Sequence, residues 1–284
     1  MKRGAIFGLL LLVSAPTARA ATSTERLARQ AEGYLQAWRF VEAEALLNLL
    51  GSAFPKDRAV LRARARLRYL QGDYALADRL ASQLPAAQQA ADPRVREIRA
   101  AHRVTRTFAT HRSASGNFVF RYPPGKERWL VPYAEKALEA ARTRLATDWG
   151  LPPDGPVRVE ILPGPEDLAR LSPLSEDDVR RTGTIALCRD RKIMLVTPRA
   201  LVSGYGWLDT AVHEYVHYVL EVRARGRVPL WLHEGLARYA QERWRAPFPK
   251  TLTPLQGHLL AEARANNAFV PMRAMMPSFA KLPS

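Results

Sequence analysis

Cysteine is almost missing from this chain: Cys188 is the only one in 284 residues, so no intrachain disulfide can form. It sits in an apolar, strand-like stretch, TIALCRD, where a thiol packs as a small hydrophobe rather than serving as a nucleophile. Long apolar runs are missing too. The N-terminal one, Ala5 to Val13, falls short of the about 20 residues a membrane-spanning helix needs. Lys2 and Arg3 precede it and Ala18-Arg19-Ala20 follows, the pattern of a secretory signal peptide over residues 1–20; a retained N-terminal anchor is the alternative. No cysteine follows that run to carry a lipid anchor. Acids are scarce beside bases, 27 against 43, for a formal charge of +16; loss of residues 1–20 would remove three basic residues and no acid, leaving +13. Such an excess favours acidic partners, here an anionic cell-envelope surface. Aromatics are not interleaved with the arginines, whose densest run is RARARLR at 62–68. That pattern reads as a solvated basic face, and nucleic acid is not an expected partner. The Arg- and Ala-rich composition with an export signal points to the bacterial periplasm.

From Thr24 to about Phe108 the pattern is helical, broken at FPKD (54–57) and LPAAQ (84–88). Two segments in it resemble each other: YLQAWRFVEAEALLNLL from Tyr34 and YLQGDYALADRLASQL from Tyr69. Phe40 and Tyr74, like Ala43 and Ala77, are 34 residues apart. This period with paired helices resembles tetratricopeptide repeats and implies a helical-repeat module over 21–108, with protein partners as its expected ligands; an unrelated pair of helical hairpins is the alternative.

The polar stretch THRSASGN (110–117) marks a boundary, beyond which the texture changes. NFVFRY (117–122) and VRVEIL (157–162) alternate as strands do, and TIALC (184–188) with KIMLV (192–196) predicts a hairpin. YAEKALEAARTRLATDWG (133–150) predicts an amphipathic helix closed by Gly150, and PEDLARLS (165–172) a short helix opened by its proline. Two further helices are expected, one around TAVHEYVHYVLEV (210–222) and one from Leu230 to about Trp244. Strands followed by helices predict an α+β domain over 109–284.

The chemistry concentrates in HEYVH, residues 213–217, an H-E-x-x-H pattern. Residues four apart on a helix share a face, so the imidazoles of His213 and His217 can converge on one ion. Zinc suits such a pair, accepting imidazole nitrogen in a tetrahedral site that needs a third protein ligand and one open position for catalysis. Glu214, beside the first histidine, is placed as general base. Packing alone gives no reason to bury three ionisable groups on an otherwise apolar helix, because their desolvation must be offset by partners or a metal. The third ligand must lie downstream. Glu234, in PLWLHEGLARY (229–239), falls early on the next helix, across the short GRVP connection. His233 competes with it; a one-residue shift turns a side chain about 100° around the helix, so the two cannot both face one ion.

H-E-x-x-H followed by Trp231-Leu232-His233-Glu234-Gly235-Leu236-Ala237, with Tyr239 in register, resembles the gluzincin zinc peptidases, and more nearly the bacterial peptidase-MA-like domains. The resemblance covers roughly 117–284. It implies a zincin-like metallopeptidase domain with a small sheet and an HExxH helix, acting on a peptide or protein substrate bound by strand addition at an edge of the 184–196 hairpin. It also implies zinc ligation by His213, His217 and Glu234, with Glu214 as base and proton shuttle. Two departures stand out. The family's thermolysin-like pattern has an aspartate four residues after the ligand glutamate, serving one histidine; here that place is Arg238, and Asp209 is the candidate substitute. The family's oxyanion donor is a Tyr or His on a further helix that would begin where this chain ends, at Ser284, which leaves Tyr239 and His258 as candidates. These departures keep open a zinc-binding scaffold that hydrolyses little. A repeat-containing adaptor with an accidental H-E-x-x-H is the third reading.

Overall fold

A computed structural model of the chain describes residues 18–150, 155–224, 227–245 and 254–271. Most of the expected signal segment, part of the GRVP connection and the C-terminal stretch from residue 272 lie outside the described residues. The chain divides into two compact units, Met1–Ala91 and Asp92–Ser284. Among the described residues no helix is long and apolar enough to cross a membrane.

The first unit is all helix: α1 (Ala18–Gln36), α2 (Phe40–Ala53), α3 (Arg58–Gln71), α4 (Tyr74–Ala81) and α5 (Ala86–Ala91). Small residues at the crossings let the helices approach, with Ala31, Ala43 and Ala77 fully buried. Asp57 caps α3 by accepting from the backbone N–H groups of Ala59 and Val60 at 2.9 and 3.1 Å, and Gly72 closes the helix at φ 84°. Asp57→Ala is expected to cost about 1 kcal/mol; faster exchange of the α3 amides in hydrogen-exchange measurements checks it.

The second unit holds α6 (Pro93–Thr105), β1 (Ala109–Arg112), β2 (Phe118–Tyr122), α7 (Val131–Trp149), β3 (Val157–Leu162), α8 (Pro165–Arg170), α9 (Glu176–Thr182), β4 (Ala186–Arg189), β5 (Lys192–Val196), α10 (Trp207–Ala224), α11 (Leu230–Ala240) and α12 (Pro254–Ala265). Helix α6, whose sequence reads as the end of the repeat region, groups with this unit. The strands form one mixed sheet in the order β1-β2-β3-β5-β4. Its centre, β2-β3-β5, is parallel, and both edge pairs are antiparallel. This is a mixed helix–sheet unit of the α+β kind, with a parallel sheet centre that the strand texture alone did not reveal.

Three elements differ from the sequence-based expectation. Part of the polar boundary at 110–117 is strand: β1 pairs with β2 around a turn at Gly116, where φ is 75°. It reads as a loop because an edge strand with exposed side chains carries no apolar alternation. Helix α9 went unread because its signal is a polar capping box, Ser175 with Asp178, rather than an apolar stripe. The last helix of the motif region ends at Ala240 rather than near Trp244. The 184–196 hairpin turns on Asp190 and Arg191, both at positive φ (51° and 60°), as a two-residue hairpin connection requires.

Alternation sets the two faces of the sheet. Phe118, Phe120, Val159 and Ile193 face α10, whose Tyr215 ring meets Phe118 edge-on at 5.3 Å. The opposite face carries Glu160, fully buried, with Lys192 Nζ 3.5 Å from Oε2 and Arg121 Nη1 3.8 Å from Oε1.

Candidate metal centre

Helix α10 packs against β4 and β5 on one side and α11 on another. Its apolar positions Val212, Tyr215, Val216, Val219 and Leu220 are buried, which fixes the rotation of the helix and hence the direction of what lies between them. His213 and His217 therefore emerge together toward α11, their rings 4.7 Å apart. Helix α11 starts after Pro229, and the beginning of its second turn brings Glu234 to both imidazoles.

The spacing of the donor atoms is informative. Glu234 Oε2 lies 3.4 Å from His213 Nε2 and 3.5 Å from His217 Nε2, and the two Nε2 atoms are 3.1 Å apart. A tetrahedral zinc ion with bonds of about 2.0–2.1 Å separates its ligand atoms by about 3.3–3.4 Å. The group is the one set of three His, Cys, Asp or Glu side chains among the described residues that could hold a metal ion. His213 Nδ1 is 3.1 Å from Gln241 Oε1, a carbonyl oxygen that accepts its hydrogen, so Nε2 is the atom that meets the Glu234 carboxylate, through a proton or, in the proton's place, a metal ion.

Electrostatics describe the same point. Hydrogen bonds to His213 and His217 hold the Glu234 carboxyl well below the usual carboxylate range. Burial alone would lower the His213 pKa, but the Glu234 carboxylate, with Glu214 nearby, outweighs it and raises the value. Glu214 is 8 % exposed, and desolvation raises its pKa against the pull of both imidazoles and the Cys188 backbone N–H. That contact puts Glu214 beside β4, an edge strand of the sheet.

The other candidate residues fall elsewhere. His233 does not face the Nε2 atoms; its Nδ1 lies 2.6 Å from His217 Nδ1, the rings stacked at 4.8 Å, and burial and the neighbouring His217 lower its pKa. Asp209 does not reach His213. It accepts from Trp244 Nε1 at 2.8 Å and from Arg245, tying the start of α10 to the segment after α11. Tyr239 lies five residues past Glu234, about 140° around the helix. It is 58 % exposed, under the Arg243 guanidinium, and lines a small pocket with Leu145, Trp149, Val212 and Trp244 rather than the His213–His217–Glu234 cluster. His258 is exposed on α12, a helix with no buried residue. Cys188 faces α10 from β4, where burial pushes its thiol pKa well up, in keeping with a packing role.

Sequence reasoning missed Gln241. It follows Glu234 by seven residues, two helical turns, so its place on the ligand face could have been read from spacing alone. No protein-family model matches this chain, and no curated protein matches it.

Proposed function

We propose that this protein is an exported zinc-dependent metallopeptidase of the gluzincin kind, in which His213, His217 and Glu234 hold the ion and Glu214 is the general base. The observation that carries the reading is the spacing of the three donor atoms, 3.1–3.5 Å, beside a buried carboxylate on the same helix. Bound zinc supplies an acidified water and polarises the scissile carbonyl. The chain's own groups do the rest. Glu214 takes a proton from the attacking water and returns it to the leaving amine nitrogen. Its low exposure favours the transfer, because desolvation strengthens it as a base. Strand β4 is an edge of the sheet among the described residues, and an extended peptide could add beside it as a further strand, held by backbone hydrogen bonds.

The reading extends to the rest of the chain. The helices of the first unit, with Ala43 and Ala77 buried 34 residues apart, suit a tetratricopeptide-like module that recruits a protein partner. The basic excess suits an anionic cell-envelope surface in the periplasm.

Elemental analysis of the purified protein tests the proposal: near-stoichiometric zinc is expected, with peptide hydrolysis abolished by a chelator and restored by zinc. Folded protein that takes up no zinc would sink it. Protons compete with the metal at His213, whose raised pKa means that competition begins above the usual histidine value of about 6.5. Zinc affinity is therefore expected to fall as pH drops through that raised value and to level off above it. Chelator competition across a pH series checks this.

A second reading is a zinc-binding scaffold with little turnover. It is favoured by the placement of Tyr239 and His258, neither of which stands at the cluster as an oxyanion donor. Stoichiometric zinc without hydrolysis of any peptide in a broad library would select it.

A further inference from the structure

We propose that Gln241 is the positioning residue for His213, and that Arg238 sets the orientation of the Gln241 amide. The inference rests on reading His213 as a metal ligand, and deepens it.

The argument runs through donors and acceptors. Gln241 is 8 % exposed, and its Oε1 lies 3.1 Å from His213 Nδ1. An amide can turn either end to a neighbour, so contact alone does not say which tautomer of His213 it selects. Two flanking groups decide. Arg238 Nη1 lies 3.5 Å from Oε1, and Glu242 Oε1 lies 3.4 Å from Nε2. Guanidinium only donates and carboxylate only accepts, so each holds its end of the amide in one orientation. With oxygen turned to His213, Nδ1 must carry the hydrogen, and the Nε2 lone pair is left for the ion. Metal-bound histidines are commonly held this way by a carboxylate or carbonyl, and loss of such partners typically costs 10–100-fold in metal affinity.

The arrangement accounts for the arginine where the family resemblance implies an aspartate. Arg238 could not receive the imidazole N–H itself. One turn further on, Gln241 accepts it, and Arg238 acts by keeping the amide from flipping.

The test measures the zinc dissociation constant by chelator competition for the wild type, Gln241→Leu, Gln241→Glu, Arg238→Leu and the double variant Gln241→Glu/Arg238→Leu. Gln241→Leu is expected to bind zinc 10–100-fold more weakly, and Gln241→Glu at least as tightly as the wild type. Arg238→Leu is expected to weaken binding with glutamine at 241 but not with glutamate, whose two oxygens are equivalent and need no orienting. A merely structural role for Arg238 would weaken both backgrounds alike. Nitrogen-15 shifts of His213 in the metal-free protein at mildly alkaline pH give a readout independent of zinc. The Nδ1–H tautomer is expected in the wild type, with a shift toward Nε2–H in Gln241→Leu. Equal affinities for wild type and Gln241→Leu, equal losses in Gln241→Leu and Gln241→Glu, or an Nε2–H tautomer in the wild type would overturn the proposal. A wild type that binds no zinc yet shows the Nδ1–H tautomer, lost in Gln241→Leu, would remove the proposed function while supporting the positioning of the imidazole.

Discussion

Glu214→Gln is expected to leave zinc bound at wild-type stoichiometry and to lower kcat by about 10²–10⁴-fold, whereas His217→Ala is expected to lose the metal and activity together. The contrast follows from geometry. His217 Nε2 is one of three donor atoms 3.1–3.5 Å apart, and removing it leaves two, too few for a stable site. Glu214 is on the same helix but belongs to no such triangle; its carboxylate is buried beside β4. Glutamine keeps its shape and loses its basic oxygen. The fold should tolerate the change. Burial raises the Glu214 pKa, so its ionised form opposes folding above the ordinary carboxylate range, and a neutral amide relieves that cost. The variant's melting temperature is therefore expected to equal or exceed the wild-type value in the metal-free protein. Elemental analysis, steady-state kinetics and thermal melts on one preparation separate the roles. Wild-type turnover in Glu214→Gln would take the proton-transfer role from Glu214.

Glu160→Leu is expected to destabilise the second unit by about 3–5 kcal/mol, or roughly 10 °C in melting temperature for a unit of this size. Glu160 is fully buried and Lys192 is 1 % exposed, with Nζ 3.5 Å from Oε2; taking away the carboxylate removes an opposite charge that offsets the burial of that ammonium. The double variant Glu160→Leu/Lys192→Met should regain most of the loss, because well-packed apolar side chains can replace a buried ion pair at little cost. Arg121 keeps other partners in either case, donating to the Thr105 carbonyl and hydroxyl at 3.2 Å. Differential scanning calorimetry of the two variants reads both results. A single variant within about 1 kcal/mol of the wild type would show that the pair contributes little to holding the sheet.

Much of this was legible in the residues. The apolar alternation of 118–122 and 157–162 reports β2 and β3 because a strand sends successive side chains to opposite faces. Gly150 marks the end of α7 because a left-handed φ of 64° suits glycine. The common face of His213 and His217 follows from spacing alone, as the helical period brings residues four apart together whatever surrounds them. Glu234 needed one more step, the position of Pro229 at the start of α11. The placement of Tyr239 away from Glu234 was implicit in the same period.

Other features have no local signature. Asp209 stands one turn before His213 and reads as its partner until Trp244 and Arg245, some 35 residues on, claim its oxygens. Strand β1 reads as a polar loop because its hydrogen bonds come from β2 rather than from its own composition. VRVEIL announces a strand, but nothing in it says that Glu160 will be buried within reach of Lys192, a side-chain contact made because β5 lies beside β3 in the sheet.

The sequence by itself determined the two helices of the motif region and the face on which each donor stands, since covalent spacing and helical pitch act within a few residues. Only the tertiary structure decided that Glu234 rather than His233 reaches both Nε2 atoms, that Gln241 rather than Asp209 contacts His213, and that β4 lies beside Glu214. Those choices depend on how α10, α11 and the sheet pack, and packing is settled by burial summed over the whole unit rather than by any one stretch of chain.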